Sequence, residues 1–284
     1  MMAAAQHQEQ INHITGDVHY LVLGLCQKQT VLTVHDCASL ERLRGWRLLV
    51  FRKLWYEWPI RRAALVTVIS ESTRCELLRH VRCDPTKIRV VVNCVSNDFL
   101  PSPRPFNESN PEILHLGTAT NKNLERLVVA LKGLACRLHI IGRLTPTHKE
   151  ALERYKVSYV NTPRATDREL VMAFQRCDLV AFVSTYEGFG LPIVEANATG
   201  RPVVTSNLLS MPEVAGNAAC LVDPFDVESI RLGVLRVWND AHYRQKLVDA
   251  GFANVKRFSV DAVAAEYAAI YKELAARGKT VGSN

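Results

Sequence analysis

Residues 186–204 read YEGFGLPIVEANATGRPVV, and their pattern decides the fold. Upstream, Leu179 to Val183 is a short apolar run ending at Ser184 and Thr185; downstream, Pro202 to Thr205 is a second, β-branched run. Runs this short, bounded by glycine and proline, read as buried strands with a loop and a helix between them. Gly188 and Gly190 let the loop backbone approach a ligand closely, and Pro192 suits the first turn of a helix, where its missing N–H costs nothing. Helix N-termini attract phosphate. Glu187 falls at the loop tip and Glu195 about one turn into the helix, so the two carboxylates can reach opposite ends of one elongated ligand.

A nucleotide-sugar has that shape: sugar, diphosphate, ribose and base in line. The plainer alternative is that Glu195 complements the helix dipole and Glu187 is solvated. The full string, a Glu, seven residues, a second Glu and then a Gly-x-Pro-Val-Val strand, resembles the signature of family-4 glycosyltransferases of the GT-B fold. The resemblance implies that Glu187 contacts hydroxyls of a donor sugar and Glu195 the ribose. Carboxylates suit both tasks, because each accepts two vicinal hydroxyl protons.

From Glu112 onward, strands are expected near 113–117, 137–142, 158–161, 179–184, 202–206 and 219–223, with helical segments between them. That alternation specifies a doubly wound parallel sheet. Thr166 followed by Glu169 makes a capping box, and Asn121 is placed to cap the helix through Leu124, Leu127 and Val128. The first turn of this domain, LGTATNKNLERL, is a strand, a glycine, a loop and a helix. By resemblance Gly117, Thr118, Gly188, Phe189, Gly190 and Leu191 line the donor pocket with Glu195, and Lys122 neutralises the departing diphosphate. Many relatives carry an arginine directly after the glycine, where this chain has Thr118. Arg143 lies near another pocket-lining region of the family, with a surface arginine as the equal alternative, and base recognition is expected near Asn161 to Arg164.

Upstream, VLTVHD is a strand ending at His35 and Asp36. The pair resembles one in the N-terminal domain of the family, which makes His35 a catalytic candidate facing the donor sugar. Alone, such a histidine is more often structural and such an aspartate a local cap. AALVTVIS, Glu71 to Arg82 and IRVVVNCVS then read as strand, helix and strand. Residues 97–112, NDFLPSPRPFNESNPE, hold four prolines and little apolar content, a linker composition. The resulting division is a partial, acceptor-side Rossmann-like domain over 1–100, a linker over 101–111, and a nucleotide-sugar-binding Rossmann-like domain over 112–284 closed by an amphipathic helix, Asp261 to Ala276, that packs back across the junction. Relatives open with a strand and a Gly-rich loop, and the first 40 residues offer only Gly16 and Gly24. The N-terminal domain is therefore expected to be incomplete, and the chain to bind donor better than it transfers sugar.

Composition bounds these readings. At 284 residues, 48% hydrophobic and 22% charged, the chain is an ordinary globular protein with room for two cores. Its eight cysteines form no C-x-x-C pair and no metal-type spacing with histidine, so they read as reduced and mostly buried, and no metal site is expected. No window holds roughly 18 uninterrupted apolar residues, and the start MMAAAQHQEQ lacks the basic end and apolar core of a signal peptide. A net charge of +7 and a pI near 9.0 suit phosphorylated ligands, anionic lipid or nucleic acid, but no nucleic-acid-binding signature is present.

The charge concentrates over residues 41–62, where Arg42, Arg44, Arg47, Arg52, Lys53, Arg61 and Arg62 interleave with Trp46, Phe51, Trp55, Tyr56 and Trp58. Such a stretch either lies on a membrane surface or grips an acidic acceptor, or it is an amphipathic helix whose aromatics are core and whose arginines are solvated. The expected protein is cytoplasmic, peripheral on the inner membrane face. It moves a sugar from a nucleoside diphosphate to a glycan or lipid-linked acceptor, with retention and without metal or resident cofactor. The rivals are a noncatalytic nucleotide-sugar binder or inactive fragment, and a phosphorylase or epimerase on the same fold.

Overall fold

The computed structural model describes residues 9–279, the side chains of Glu41, Arg42, Gly278 and Lys279 excepted. Most of the opening MMAAAQHQEQ, and the Arg42 side chain of the basic stretch, lie outside the described residues. Two compact units are formed, one from residues up to Asn93 together with those from Asp261 onward, the other from Cys94–Val260.

The first unit is a four-stranded parallel sheet in the order β1 (Asn12–Ile14), β2 (Thr30–Val34), β3 (Leu65–Val68), β4 (Ile88–Val90). Every residue of β2 and β3 is buried, as expected of all-parallel strands covered on both faces. On one face Ile14, Val22, Leu32, Val66, Ile60 and Leu77 share a core. The other face is covered by the last helix, Val260–Lys279, whose Val263, Ile270 and Leu274 pack on Val31, Leu65 and Val91. This helix, counted with the second domain in the sequence but expected to pack back across the junction, belongs to the first unit, because its apolar stripe is the cover that unit's sheet needs. Tyr271 of the same helix lies 2.6 Å from His13 Nδ1, and His13 Nε2 lies 2.7 Å from Thr33 Oγ1. The fourth strand is shorter than IRVVVNCVS suggests, since pairing with β3 ends at Val90.

The second unit is a six-stranded parallel sheet in the order β10-β9-β8-β5-β6-β7. Its strands are β5 (Glu112–Leu116), β6 (Arg137–Ile141), β7 (Ser158–Thr162), β8 (Leu179–Phe182), β9 (Val203–Ser206) and β10 (Cys220–Val222). The chain winds outward from β5 to β7, returns to β8 beside β5, and winds out the other way. That is the doubly wound arrangement, with its switch point between β5 and β8. Helix starts are chemically marked: Thr166 and Glu169 form the expected reciprocal capping box. The proline-rich stretch before β5 carries no regular secondary structure but is fastened to this unit. Arg201 Nη2 donates to Ser102 O at 2.6 Å, and Asn107 N to the buried Asp178 at 3.1 Å.

None of the eight cysteines is in a disulfide; Cys37, Cys136, Cys177 and Cys220 are buried, whereas Cys26, Cys75 and Cys94 are exposed, more than the apolar context suggested.

Candidate functional site

In an open α/β sheet, ligands bind beyond the carboxyl ends of the strands at the switch point, where neighbouring loops diverge. Here those loops are Gly117–Asn123 after β5 and Ser184–Gly190 after β8. Gly117 has φ +87°, and the Lys122 side chain lies across it so closely that a Cβ there would stand 2.8 Å from Lys122 Cγ. Thr120–Lys122 is a tight 3-10 turn that returns the lysine over the strand end. Its Nζ donates to Glu187 Oε1 at 2.6 Å, with the two side chains 23% and 15% exposed, and stands 5.0 Å from the centre of the Phe182 ring.

The two loops are stitched together by amides. Asn121 Nδ2 donates to Tyr186 O at 3.0 Å, and Thr185 N donates to Asn121 O at 2.8 Å. Asn121 therefore does not cap the following helix. That place belongs to Asn123, in the left-handed region at φ 64°, which makes no side-chain cap bond. Its Nδ2 donates instead to Val183 O at 3.0 Å and Pro224 O at 2.7 Å. Buried carbonyls need donors, and Asn123 ties the end of β8 to the segment after β10. Its one signal in the sequence is its type, asparagine being the residue after glycine most at home at positive φ. Ser210 Oγ lies 2.9 Å from both Glu187 O and Phe189 O and shares its proton between them, holding the tip of the second loop.

The helix Leu191–Thr199 starts at Gly190, φ +107°, with Pro192 in its first turn and no side-chain cap, so its N-terminal dipole adjoins the Glu187 loop. Glu195 lies beyond that first turn, so complementing the dipole is not its role. Burial pushes its carboxyl up to about 7, with no neighbouring charge or hydrogen bond to offset the loss of water. Nor is Glu187 solvated, being held by Lys122. The two carboxylates stand in opposite environments: Glu187 paired with Lys122, Glu195 raised to about 7 by burial.

The other expected residues divide. Thr118 Oγ1 donates to Arg143 O at 2.8 Å, closing the turn beside the site, while the Arg143 side chain is exposed. Gly188 and Leu191 are half-buried at the loop. Phe189 turns inward and meets the Phe258 ring edge to face at 5.6 Å, so it offers a ligand only its backbone. Asn161 Nδ2 donates to Ile140 O and Gly142 O at 3.0 and 2.7 Å, binding the turn after β6 to β7. In the first unit, His35 directly follows β2 and its Nε2 donates to Thr15 O at 2.6 Å; Asp36 accepts from Ala38 N at 2.9 Å, as a local cap does. Among the described residues no group of three or more His, Cys, Asp or Glu is placed to hold a metal ion.

Residues 96–253 match the family model described as Glycosyl transferases group 1, and residues 5–99 match that of Glycosyltransferase Family 4. The O-antigen chain mannosyltransferase B of Escherichia coli is 38% identical over 221 residues, 69% of this chain and 57% of that protein. The MMP alpha-(1->4)-mannosyltransferase of Mycolicibacterium hassiacum is 28% identical over 87% of this chain and 66% of its own length. The chain thus spans less than two thirds of these relatives. Among solved structures, Anabaena HepE in complex with UDP and glucose superposes with a TM-score of 0.77 at 19% identity, covering 96% of this chain and 81% of that one. That likeness establishes the GT-B class of fold. With the group 1 model matched over more than half its length, the chain belongs to the group 1 glycosyl transferases.

Proposed function

We propose that the protein transfers a mannosyl group from a nucleoside diphosphate donor to a glycan chain, free or lipid-linked, on the cytoplasmic side of a membrane. The observation that carries this reading is the Lys122–Glu187 pair closing the switch point beside an uncapped helix N-terminus. An ammonium has three donors and Glu187 uses one, so Lys122 can hold the sugar-binding carboxylate and a phosphate oxygen together. Charge developing on the departing diphosphate is then met by that cation and by the dipole of Leu191–Thr199, a preorganised electrostatic stabilisation that works without a metal. Glu187 accepts hydroxyls of the sugar, and Glu195 those of the ribose. Both mannosyltransferase relatives support the choice of sugar. Retention of anomeric configuration, a supporting contact from His35 and the absence of a resident cofactor belong to the same reading.

The test is transfer of radiolabelled mannose from its nucleoside diphosphates to a mannoside acceptor, with product configuration read by NMR. Acceptor-dependent release of nucleoside diphosphate with an α-linked product supports the proposal. Binding without turnover favours the noncatalytic reading, and release of nucleotide without any acceptor favours an epimerase.

A further inference from the structure

The helical run Gly45–Arg62 carries two apolar faces. It comprises Gly45–Phe51, one π turn over Arg52–Glu57, and Trp58–Arg62. Tyr56 and Ile60 are buried, and Leu48, Phe51 and Trp55 pack against the same core. The alternative of aromatics as core therefore holds for this face. It fails for the other: Trp46 is 71% exposed, Leu49 50%, Val50 46%, Leu54 43% and Trp58 48%. Their spacing places them along one stripe, and exposed Arg44, Arg47, Lys53 and Arg61 flank it. Two tryptophans and three aliphatic side chains left in water on one short helix make a continuous apolar patch of the kind that marks a contact surface.

Beside the stripe lies a basin of about 740 Å³ lined by Arg52, Arg61, Arg79, His80, Arg82 and Asp84. Arg52 is engaged with Glu57 at 3.1 Å, and Asp84 accepts from Thr86. Arg61, Arg79 and Arg82 make no ion pair among the described residues. Three uncompensated guanidinium groups against one carboxylate form an anion-binding surface, and two of the basin's arginines, Arg52 and Arg61, come from the helix that bears the stripe.

We infer that this face docks on a bilayer rich in anionic phospholipid, the stripe entering the headgroup boundary and the basin receiving a phosphodiester headgroup. The occupant is argued from charge and chemistry. A helix lying in the interface plane carries tryptophan and leucine inward and a cationic rim at headgroup level, and each Lys or Arg near an anionic surface adds to the attraction. The transfer reading is not required, because the face lies wholly in the first unit and shares no residue with the donor site.

Sedimentation with sucrose-loaded vesicles tests it, using equal parts phosphatidylglycerol and phosphatidylcholine against pure phosphatidylcholine. The intact chain should partition onto the anionic vesicles at low salt, release as salt rises, and ignore the neutral ones. Trp46→Ser with Trp58→Ser, and separately Arg79→Glu with Arg82→Glu, should each lower partitioning by about tenfold or more. All four positions are solvent-exposed, so melting temperature should not move; a variant that melts early is replaced by Trp46→Gln or Arg82→Gln. Absence of partitioning at low salt overturns the inference, as does partitioning that survives both pairs of changes. Full competition by inorganic phosphate would reduce the basin to a small-anion site and overturn it too. So would concentration-dependent dimerisation abolished by the tryptophan changes, which would make the stripe a contact between copies.

Discussion

Lys122 Nζ and Glu187 Oε1, 65 residues apart in the chain, meet at 2.6 Å where the loops after β5 and β8 diverge. Because the lysine stem crosses Gly117 before reaching the carboxylate, both strand ends and both loops depend on this contact. Lys122→Ala leaves a carboxylate only 15% exposed without its partner, which should cost on the order of 1–2 kcal/mol of stability. Affinity for a nucleoside diphosphate should fall about tenfold or more, since the phosphate cation is gone. The double variant Lys122→Ala/Glu187→Ala should recover part of the stability but none of the affinity. Urea unfolding and calorimetric titration separate the two, and a Glu187→Ala variant that loses as much diphosphate affinity as Lys122→Ala would contradict the assigned roles.

Glu195 makes the opposite trade. Its carboxyl, ordinarily near 4.5, is raised to about 7 by burial, so between those values the folded chain holds a proton that the unfolded chain does not. Its contribution to stability is therefore lost as pH rises through that window, and the cost of the buried charge is complete above it. Glu195→Gln should stabilise the empty protein at pH 8 by on the order of 1–3 kcal/mol and change little at pH 5. The same change should weaken nucleotide binding, because a carboxylate facing ribose accepts two hydroxyls where an amide accepts one. Thermal melts at both pH values, with and without nucleoside diphosphate, check this; a variant no more stable at pH 8 than at pH 5 relative to the parent counts against it.

Gly117→Ala and Gly133→Ala form a matched pair. Both glycines have positive φ, +87° and +73°, but a Cβ at 117 would meet Lys122 Cγ at 2.8 Å whereas at 133 nothing lies within 4 Å. Both changes should cost about 1 kcal/mol of backbone strain. Only Gly117→Ala should also displace the lysine and lower donor affinity. Equal binding losses in the two variants would show that Lys122 needs no support from the glycine turn.

The two central strands Leu179–Phe182 and Val203–Ser206 were legible because each is a short apolar run buried throughout, and they lie inside the runs read as 179–184 and 202–206; the edge strand Ser158–Thr162, with no fully buried residue, was marked by its place in the strand–helix alternation instead. Glu187, Glu195 and Lys122 were singled out by the resemblance their motifs carry, and the structure brings Lys122 and Glu187 into contact. Asn123 was not, because its partners, Val183 and Pro224, lie 60 and 101 residues away and TNKN carries no local sign of burial. The facing of Trp46, Trp55 and Trp58 was hidden for another reason: the π turn at Arg52–Glu57 resets the helical period between them. The last helix shows the amphipathic stripe in its sequence, but a stripe does not say which sheet it covers.

Acid should unfold the protein through two shielded imidazoles, the half-buried His13 in the first unit and the buried His115 in the second. His13 is depressed to about 4 by burial and then by the charge of His35, and His115 to about 4 by burial despite its Nδ1–H donating to Ala181 O. A histidine whose folded pKa lies below its unfolded value takes up a proton on unfolding between the two, here from about 6.5 down to about 4. Stability should therefore fall as pH drops through that window, each ring contributing up to one proton to the slope. His13→Asn should flatten the slope for the first unit and His115→Asn that for the second. Trp46, Trp55 and Trp58 lie in the first unit and Trp238 in the second, so a Trp238→Phe background lets fluorescence follow the first unit alone. An unchanged slope in His13→Asn would mean that its ring, 2.7 Å from Thr33 Oγ1 and 2.6 Å from Tyr271, accepts a proton without opening the sheet.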